Sequence, residues 1–451
     1  MLAPFRGLRY APDKVSGLAE VTSPPYDAIG QGSESRLLAA DPHNVVRLIL
    51  PHPGPGSGHS GPQAAAATLR GWISEGVLAA DPRPALYAYE QSTGTAPAQV
   101  LQRGLIGMVR LSPPGDGIVL PHEAVMPGPV TGRRELMEAT QANLEPIFLL
   151  YDGSPGGGRD GGPAPGAAAE TAGPGPRAGA DGRGAATCLV DGIAAAREAL
   201  LTAATEDGIT HRLWAVTDEA ALAAIAADLA PRQALIADGH HRYAAYLQLQ
   251  DRRRAAGAQA GPWDYGLALL VDSAAYPPRI GAMHRVIPGL PPGDAVALAK
   301  TAFAVHELPP DLPAALRDLE RAGRSGPAFL IAGAGELHLA DGPDPVQAAQ
   351  AMPAGRSATW CALAPSVLQE LLIRRLWGIE ASERTVRIVH QDAAAAVRAA
   401  DEAGGTAVLC NPVSADEVRD VAARHERMPP KSTLFGPKAR TGLVLRTFAC
   451  G

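Results

Sequence analysis

Short apolar runs of strand length alternate with Ala/Leu-rich stretches of helical period along most of this chain. Strands are expected at 44–50 (NVVRLIL), 146–151 (PIFLLY), 211–216 (HRLWAV), 233–237 (QALIA) and 265–271 (YGLALLV). Two more, at 85–91 and 100–111, lie on either side of a small-residue loop and predict a hairpin. Helical patterning covers 34–40, 63–80, 133–143, 218–230 and 240–255. Further Ala/Leu helices follow at 294–304, 311–322, 366–376, 392–403 and 415–427, between strands such as PAFLIA and TAVLC. Ser23-Pro24-Pro25-Tyr26-Asp27 is a turn, because paired prolines forbid helix there. The pattern is that of a mixed α/β (or α+β) protein.

One stretch breaks it. Residues 153–186 hold almost no large apolar side chain, so they cannot offset the entropy of ordering and are expected to form a disordered insert. The expected organisation is an N-terminal α/β region at 1–152, the insert, an α/β unit at 187–290, and a C-terminal α/β region at 291–451. At 451 residues the chain exceeds one ordinary core. Apolar residues make up 46% but aromatics only 4%, so the cores must be built from Ala, Leu, Val and Ile.

A formal charge of −6 argues against a surface coated for nucleic acid, which makes a nuclease the least favoured function. Cys188, Cys361, Cys410 and Cys450 form no CxxC pair, so no zinc or dithiol motif is supported and no metal site is expected. The N-terminus lacks a signal-type apolar run, and no segment is apolar enough to span a bilayer, so a cytoplasmic location is expected.

Chemistry concentrates at Asp238-Gly239-His240-His241-Arg242. A buried strand leads in, and Gly239 permits a tight turn. A helix starts at or near His240, and its first amides and dipole attract anions such as phosphate. His240, His241 and Arg242 crowd donors into that first turn, where three cations oppose the dipole unless an anion sits beside them. Arg242, with its tip facing a ligand, is a candidate two-pronged phosphate clamp. The alternative is structural, with Asp238 as a plain N-cap and the histidines as packing residues. Neither GxxxxGKS nor a strand-borne GxGxxG is present.

Several long segments carry a family resemblance: PFRGLRY at 4–10, SPPYD at 23–27, 120–151 from LPHEAVMPGP to EPIFLLY, IADGHHRYAAY at 236–246, MHRVI at 283–287 and MPPKSTLFGPK at 428–438. On these the chain resembles the domain-of-unknown-function family 1015. Its DGHHR turn is similar to the phosphate-binding turn of the ParB/sulfiredoxin superfamily, most closely to that of free serine kinases. The resemblance implies a ParB-like α/β unit around the turn and ATP or ADP with Mg²⁺ as cofactor. It also implies phosphoryl transfer to a small hydroxylated metabolite such as free serine, with Asp238, His240 and His241 as catalytic residues and Gly239 and Arg242 on phosphate. The turn has no cysteine, which disfavours sulfiredoxin chemistry. The alternative is a nucleotide-binding sensor or regulator with little turnover.

Other candidates are Glu123 beside His122 as a general base, and Arg134 next to Arg133 as an anion clamp. His284, Arg285, Lys431 and Lys438 are candidate phosphate contacts, the two lysines flanking the donor-rich run from Ser432 and Thr433. Tyr26 and Asp27 could present a rigid loop to a pocket; Asn143 is read as a cap or turn former.

Overall fold

The computed structural model describes residues 1–30, 32–53, 60–94, 98–154, 183–382 and 384–450. Most of the expected insert therefore lies outside the described residues. The described chain divides into two compact units, one of residues 1–121, 125–278 and 437–451, the other of 122–124 and 279–436. No described helix is long and apolar enough to cross a membrane.

The first unit is built on a nine-stranded sheet. Its strands are β1 (Leu2–Ala3), β2 (Leu86–Thr93), β3 (Val100–Arg110), β4 (Val119–Leu120), β5 (Ile147–Tyr151), β6 (Leu201–Ala204), β7 (Ile209–Val216), β8 (Ala234–Asp238) and β9 (Tyr265–Asp272). The order is β4-β8-β5-β9-β3-β2-β7-β6, with β1 on β3. Only β8/β4 and β9/β5 pair parallel; the β2/β3 hairpin and the other neighbours are antiparallel. Strands from 1–152 and from 187–290, expected as two regions, thus alternate in one sheet. They share one core, which includes Leu105, Val109, Ile147, Leu149, Ile236, Tyr243 and Leu270.

Helices α1 (Gly61–Ser74), α2 (Pro127–Thr140), α3 (Ala185–Ala196), α4 (Glu219–Leu229) and α5 (His240–Ala255) complete the described core of this unit. Four expectations are corrected by the structure. Residues 44–50 are not a strand: the Asn44 side chain accepts the Val46 amide, and the chain turns into a short helix, Val46–Ile49. The stretch 63–80 is two elements, since Gly76 takes a left-handed φ of 72° and Leu78–Ala80 then pairs with Leu8–Tyr10. Helix α2 begins at Pro127 rather than Arg133, because proline in a first turn loses no intrahelical bond. Helix α3 begins at Ala185, inside the stretch expected to be disordered.

The second unit carries a six-stranded antiparallel sheet: β10 (Met283–Ile287), β11 (Ala304–Leu308), β12 (Phe329–Gly333), β13 (Glu336–Asp341), β14 (Arg387–His390) and β15 (Thr406–Cys410). Their order is β11-β13-β12-β15-β10-β14. One face packs on Phe303, Leu368, Leu371 and Trp377, the other on helices through Leu319, Ala396 and Ala400.

Candidate functional site

Strand β8 lies between β4 and β5, and its residues Ala234, Leu235 and Ile236 are buried. Its register against β5 shifts between Ile236 and Asp238, a bulge that inserts Ala237 and re-aims Asp238. Gly239 then turns the chain with φ 95° and ψ 28° and serves as the N-cap of α5. A Cβ at Gly239 would sit 2.9 Å from Ile147 Cγ2 and 3.1 Å from Arg242 Nε, so only glycine fits. The helix starts at His240, as the sequence predicts, and its cap is backbone geometry rather than an Asp238 side-chain bond.

The charges at this turn form a closed set within the first unit. Arg242 is 2% exposed. Its Nη1 donates to the Pro146 carbonyl at 2.6 Å, and its Nη2 pairs with Asp238 and lies 4.0 Å from Asp27. The tip expected to face a ligand is therefore buried. Lys438 comes in from the C-terminal segment, its Nζ 2.6 Å from Asp238 and 3.3 Å from Asp27. The dipole conflict read from the sequence is resolved by the protein itself, since Asp238 and Asp27 supply the anions. Burial would raise the Asp238 pKa, but Arg242 and Lys438 outweigh it and hold the carboxyl below its usual value. Burial would equally lower Lys438, and the two aspartates raise it instead.

Beneath this layer sits Glu145, a residue the sequence reading missed. It is buried, accepts the Tyr26 amide at 2.9 Å and lies 3.7 Å from Arg133 Nη1. Burial pushes its pKa up, against the pull of Arg242 and Arg133. The Tyr26 ring has the Arg133 guanidinium 4.2 Å and that of Arg242 5.9 Å from its centre, and burial raises its hydroxyl to about 12. SPPYD is thus a fixed loop, carrying Tyr26 inward and Asp27, 31% exposed, towards Lys438. The signal for Glu145 was weak: an acid directly before Pro146 at the start of a wholly apolar strand.

The remaining candidates scatter. His240 is buried, and His241 Nε2 accepts the Met126 amide at 3.1 Å, which puts its proton on Nδ1 and ties α5 to the start of α2. Arg134 pairs with Glu138 at 2.7 Å and Glu135 at 3.3 Å on its own helix. Asn143 receives Arg446 Nη1 at 2.7 Å, a buried structural bond.

The other four lie in the second unit. There, Thr433 Oγ1 donates to Glu123 at 2.7 Å and contacts His122 Nε2 at 2.9 Å, a short relay around the exposed end of Glu123. His284 Nδ1 accepts the Cys410 amide at 3.2 Å, and burial lowers its pKa. Arg285 donates to the carbonyls of Met283 at 3.0 Å and Lys431 at 2.7 Å, so it braces the loop rather than facing solvent. Lys431 itself is exposed, with φ 55°. Among the described residues, no group of His, Cys, Asp and Glu is arranged to hold a metal ion.

Residues 2–158 and 180–354 match the model of a family described as "Protein of unknown function (DUF1015)". Among solved structures, the chain is similar to a free serine kinase in complex with AMP, at 14% identity and TM-score 0.32 over 71% of this chain and 84% of that one. It is also similar to a conserved hypothetical protein from Pyrococcus furiosus, at 14% identity and TM-score 0.30 over 71% and 87% of the two chains. A third likeness is to SbnI with a C-terminal truncation from Staphylococcus aureus, at 10% identity and TM-score 0.32 over 76% and 87%. No curated protein matches the sequence.

Proposed function

The chain belongs to the DUF1015 family, whose description names no reaction, and from the geometry of its site we propose a nucleotide-dependent phosphotransferase. The phosphoryl group passes from ATP or ADP to the hydroxyl of a small metabolite such as free serine. The observation that carries this is Lys438, held 2.6 Å from Asp238 and 3.3 Å from Asp27 at the N-terminus of α5. An ammonium and a glycine-capped helix start meet at one spot, which is the chemistry that holds phosphate oxygens. The two carboxylates are hard oxygen donors of the kind that, with phosphate oxygens, complete the shell of Mg²⁺.

The roles differ from those implied by the turn alone. Arg242 organises Asp238, Asp27 and the Pro146 carbonyl from below, and Lys438 takes the phosphate contact. Asp238 is held ionised and serves to place Lys438. Asp27, the more exposed carboxylate, accepts the proton as the acceptor hydroxyl attacks phosphorus and the bond to the leaving nucleotide oxygen breaks. His240 and His241 fix the first turn, His241 through Met126.

The test is nucleotide turnover with and without hydroxylated acceptors, serine first. Acceptor-dependent release of ADP from ATP, or of AMP from ADP, supports the transferase. Binding of nucleotide without acceptor-dependent turnover would identify a sensor instead, in which Lys438 neutralises both carboxylates and leaves no base.

A further inference from the structure

We propose that a second site, a cavity of about 290 Å³ in the first unit, binds a small zwitterion of amino-acid size through the guanidinium of Arg440. The volume lies at the lower edge of ligand pockets, roughly 300 Å³ and upward, so it suits a small metabolite and not a nucleotide.

Arg440 lines the cavity. Its Nε donates to Thr22 Oγ1 at 3.0 Å, and its Nη2 to the carbonyls of Thr22 at 2.9 Å and Ala19 at 3.4 Å. Among the described residues its Nη1 has no hydrogen-bond partner, and no carboxylate pairs with the guanidinium. A largely buried cation without a counter-ion is costly unless an anion arrives. Burial accordingly lowers its pKa, with Asp207 and Glu206 only partly opposing from a distance. Arg103, Arg232 and Arg242 in the same unit each meet a carboxylate, and Arg446 ends on carbonyls and an amide oxygen.

Arg440 is also held in place from behind. Its amide donates to Tyr89 Oη at 3.2 Å, Tyr89 Oη meets His211 Nδ1 at 2.8 Å, and His211 Nε2 meets Thr205 Oγ1 at 3.2 Å. Thr205 Oγ1 donates to Asp207 at 2.5 Å. This chain runs from the buried Tyr89 and His211 out to Asp207, which lines the same cavity as Arg440. Glu20, Glu206 and Asp207 line the cavity with Arg36 and Arg440, and Ile29, Leu37 and Pro24 supply apolar wall. A carboxylate on Arg440 with an ammonium towards Asp207 satisfies both ends. Arg36 lies 3.8 Å from Glu206, whereas among the described residues no cation pairs with Asp207, so a simple anion would leave Asp207 without a counter-charge and a simple amine would leave Arg440 without one.

The test is calorimetric titration of the full chain with α-amino acids. Each is paired with its deaminated acid and its decarboxylated amine. We expect one or more amino acids to bind at least ~10-fold more tightly than either partner compound. Arg440→Gln should abolish that binding. Ala204→Trp, at an exposed strand position lining the cavity, should abolish it by filling the space with the charges intact. The second variant decides the matter if the first fails to fold. Wild-type protein that binds no amino acid, or binding that survives Ala204→Trp, overturns the proposal; so does equal binding of the acid or amine alone.

Discussion

Arg242 and Lys438 carry the same charge to the same aspartate, yet burial assigns them opposite work. Arg242 is 2% exposed and Lys438 23%. Arg242→Gln should cost roughly 3–5 kcal/mol of stability, because it removes the buried partner of Asp238 and leaves that carboxylate to the more exposed Lys438 and Glu145 to Arg133 alone. Lys438→Gln should cost about 1 kcal/mol or less, as solvent screens a partly exposed pair. Denaturant unfolding of both variants measures the contrast, and equal losses would contradict it.

His211 ties the stability of the first unit to pH. Burial, with Arg440 adding to it, lowers its pKa to about 4 from 6.5. The unfolded chain therefore binds the proton first. The stability contributed by neutral His211 is full above pH 6.5 and is lost as pH falls towards 4. Its loss should amount to on the order of 2–3 kcal/mol across that window, and His211→Gln should flatten this part of the stability–pH curve. The groups facing the ring are Tyr89, Arg440, Thr205 and Asp207.

At the scale of elements, the strand–turn–helix from Ala234 to Ala255 was legible because period, glycine and polar first turn all agree there. What the sequence could not show is the bulge at Ala237, since an apolar run reads the same with or without a register shift. Nor could it show that Arg242 points inward, because a first-turn arginine is ordinarily solvated. The helix expected from 133 starts earlier because proline is compatible with a first turn, and the apolar run 44–50, expected as a strand, is turned into a short helix by the Asn44 side chain. Gly239→Ala tests the turn as an element. Its φ of 95° and the 2.9 Å approach to Ile147 should together cost about 2–4 kcal/mol and displace Asp238. A melting temperature and ligand affinity equal to wild type would show that the turn is not strained.

Over the whole molecule, the first unit is discontinuous, and its last piece, 437–451, was expected from the sequence to belong to a separate C-terminal α/β region at 291–451. It is instead core. Leu443, Val444 and Leu445 are buried, Leu445 exchanges backbone bonds with Leu8 at 2.9 Å in both directions, and Arg446 is fully enclosed. Truncation after Gly436 should therefore destabilise the first unit as a whole, seen as early loss of its cooperative unfolding transition. The reach of Lys438 to Asp238 was suggested in the sequence only by the rigid, donor-rich run beside it, since nothing local to either residue encodes a contact between segments so far apart along the chain.

That contact is where the functional account stands or falls. Titration of ADP, ATP and AMP into wild-type protein and Lys438→Gln, with unfolding curves to show that both are folded, measures it directly. The expected result is saturable binding to wild type that weakens by about 10- to 30-fold in the variant, or ~1.4–2 kcal/mol. Equal affinity in both proteins, or no binding of any of the three to the folded wild type, would contradict a phosphate site at the start of α5.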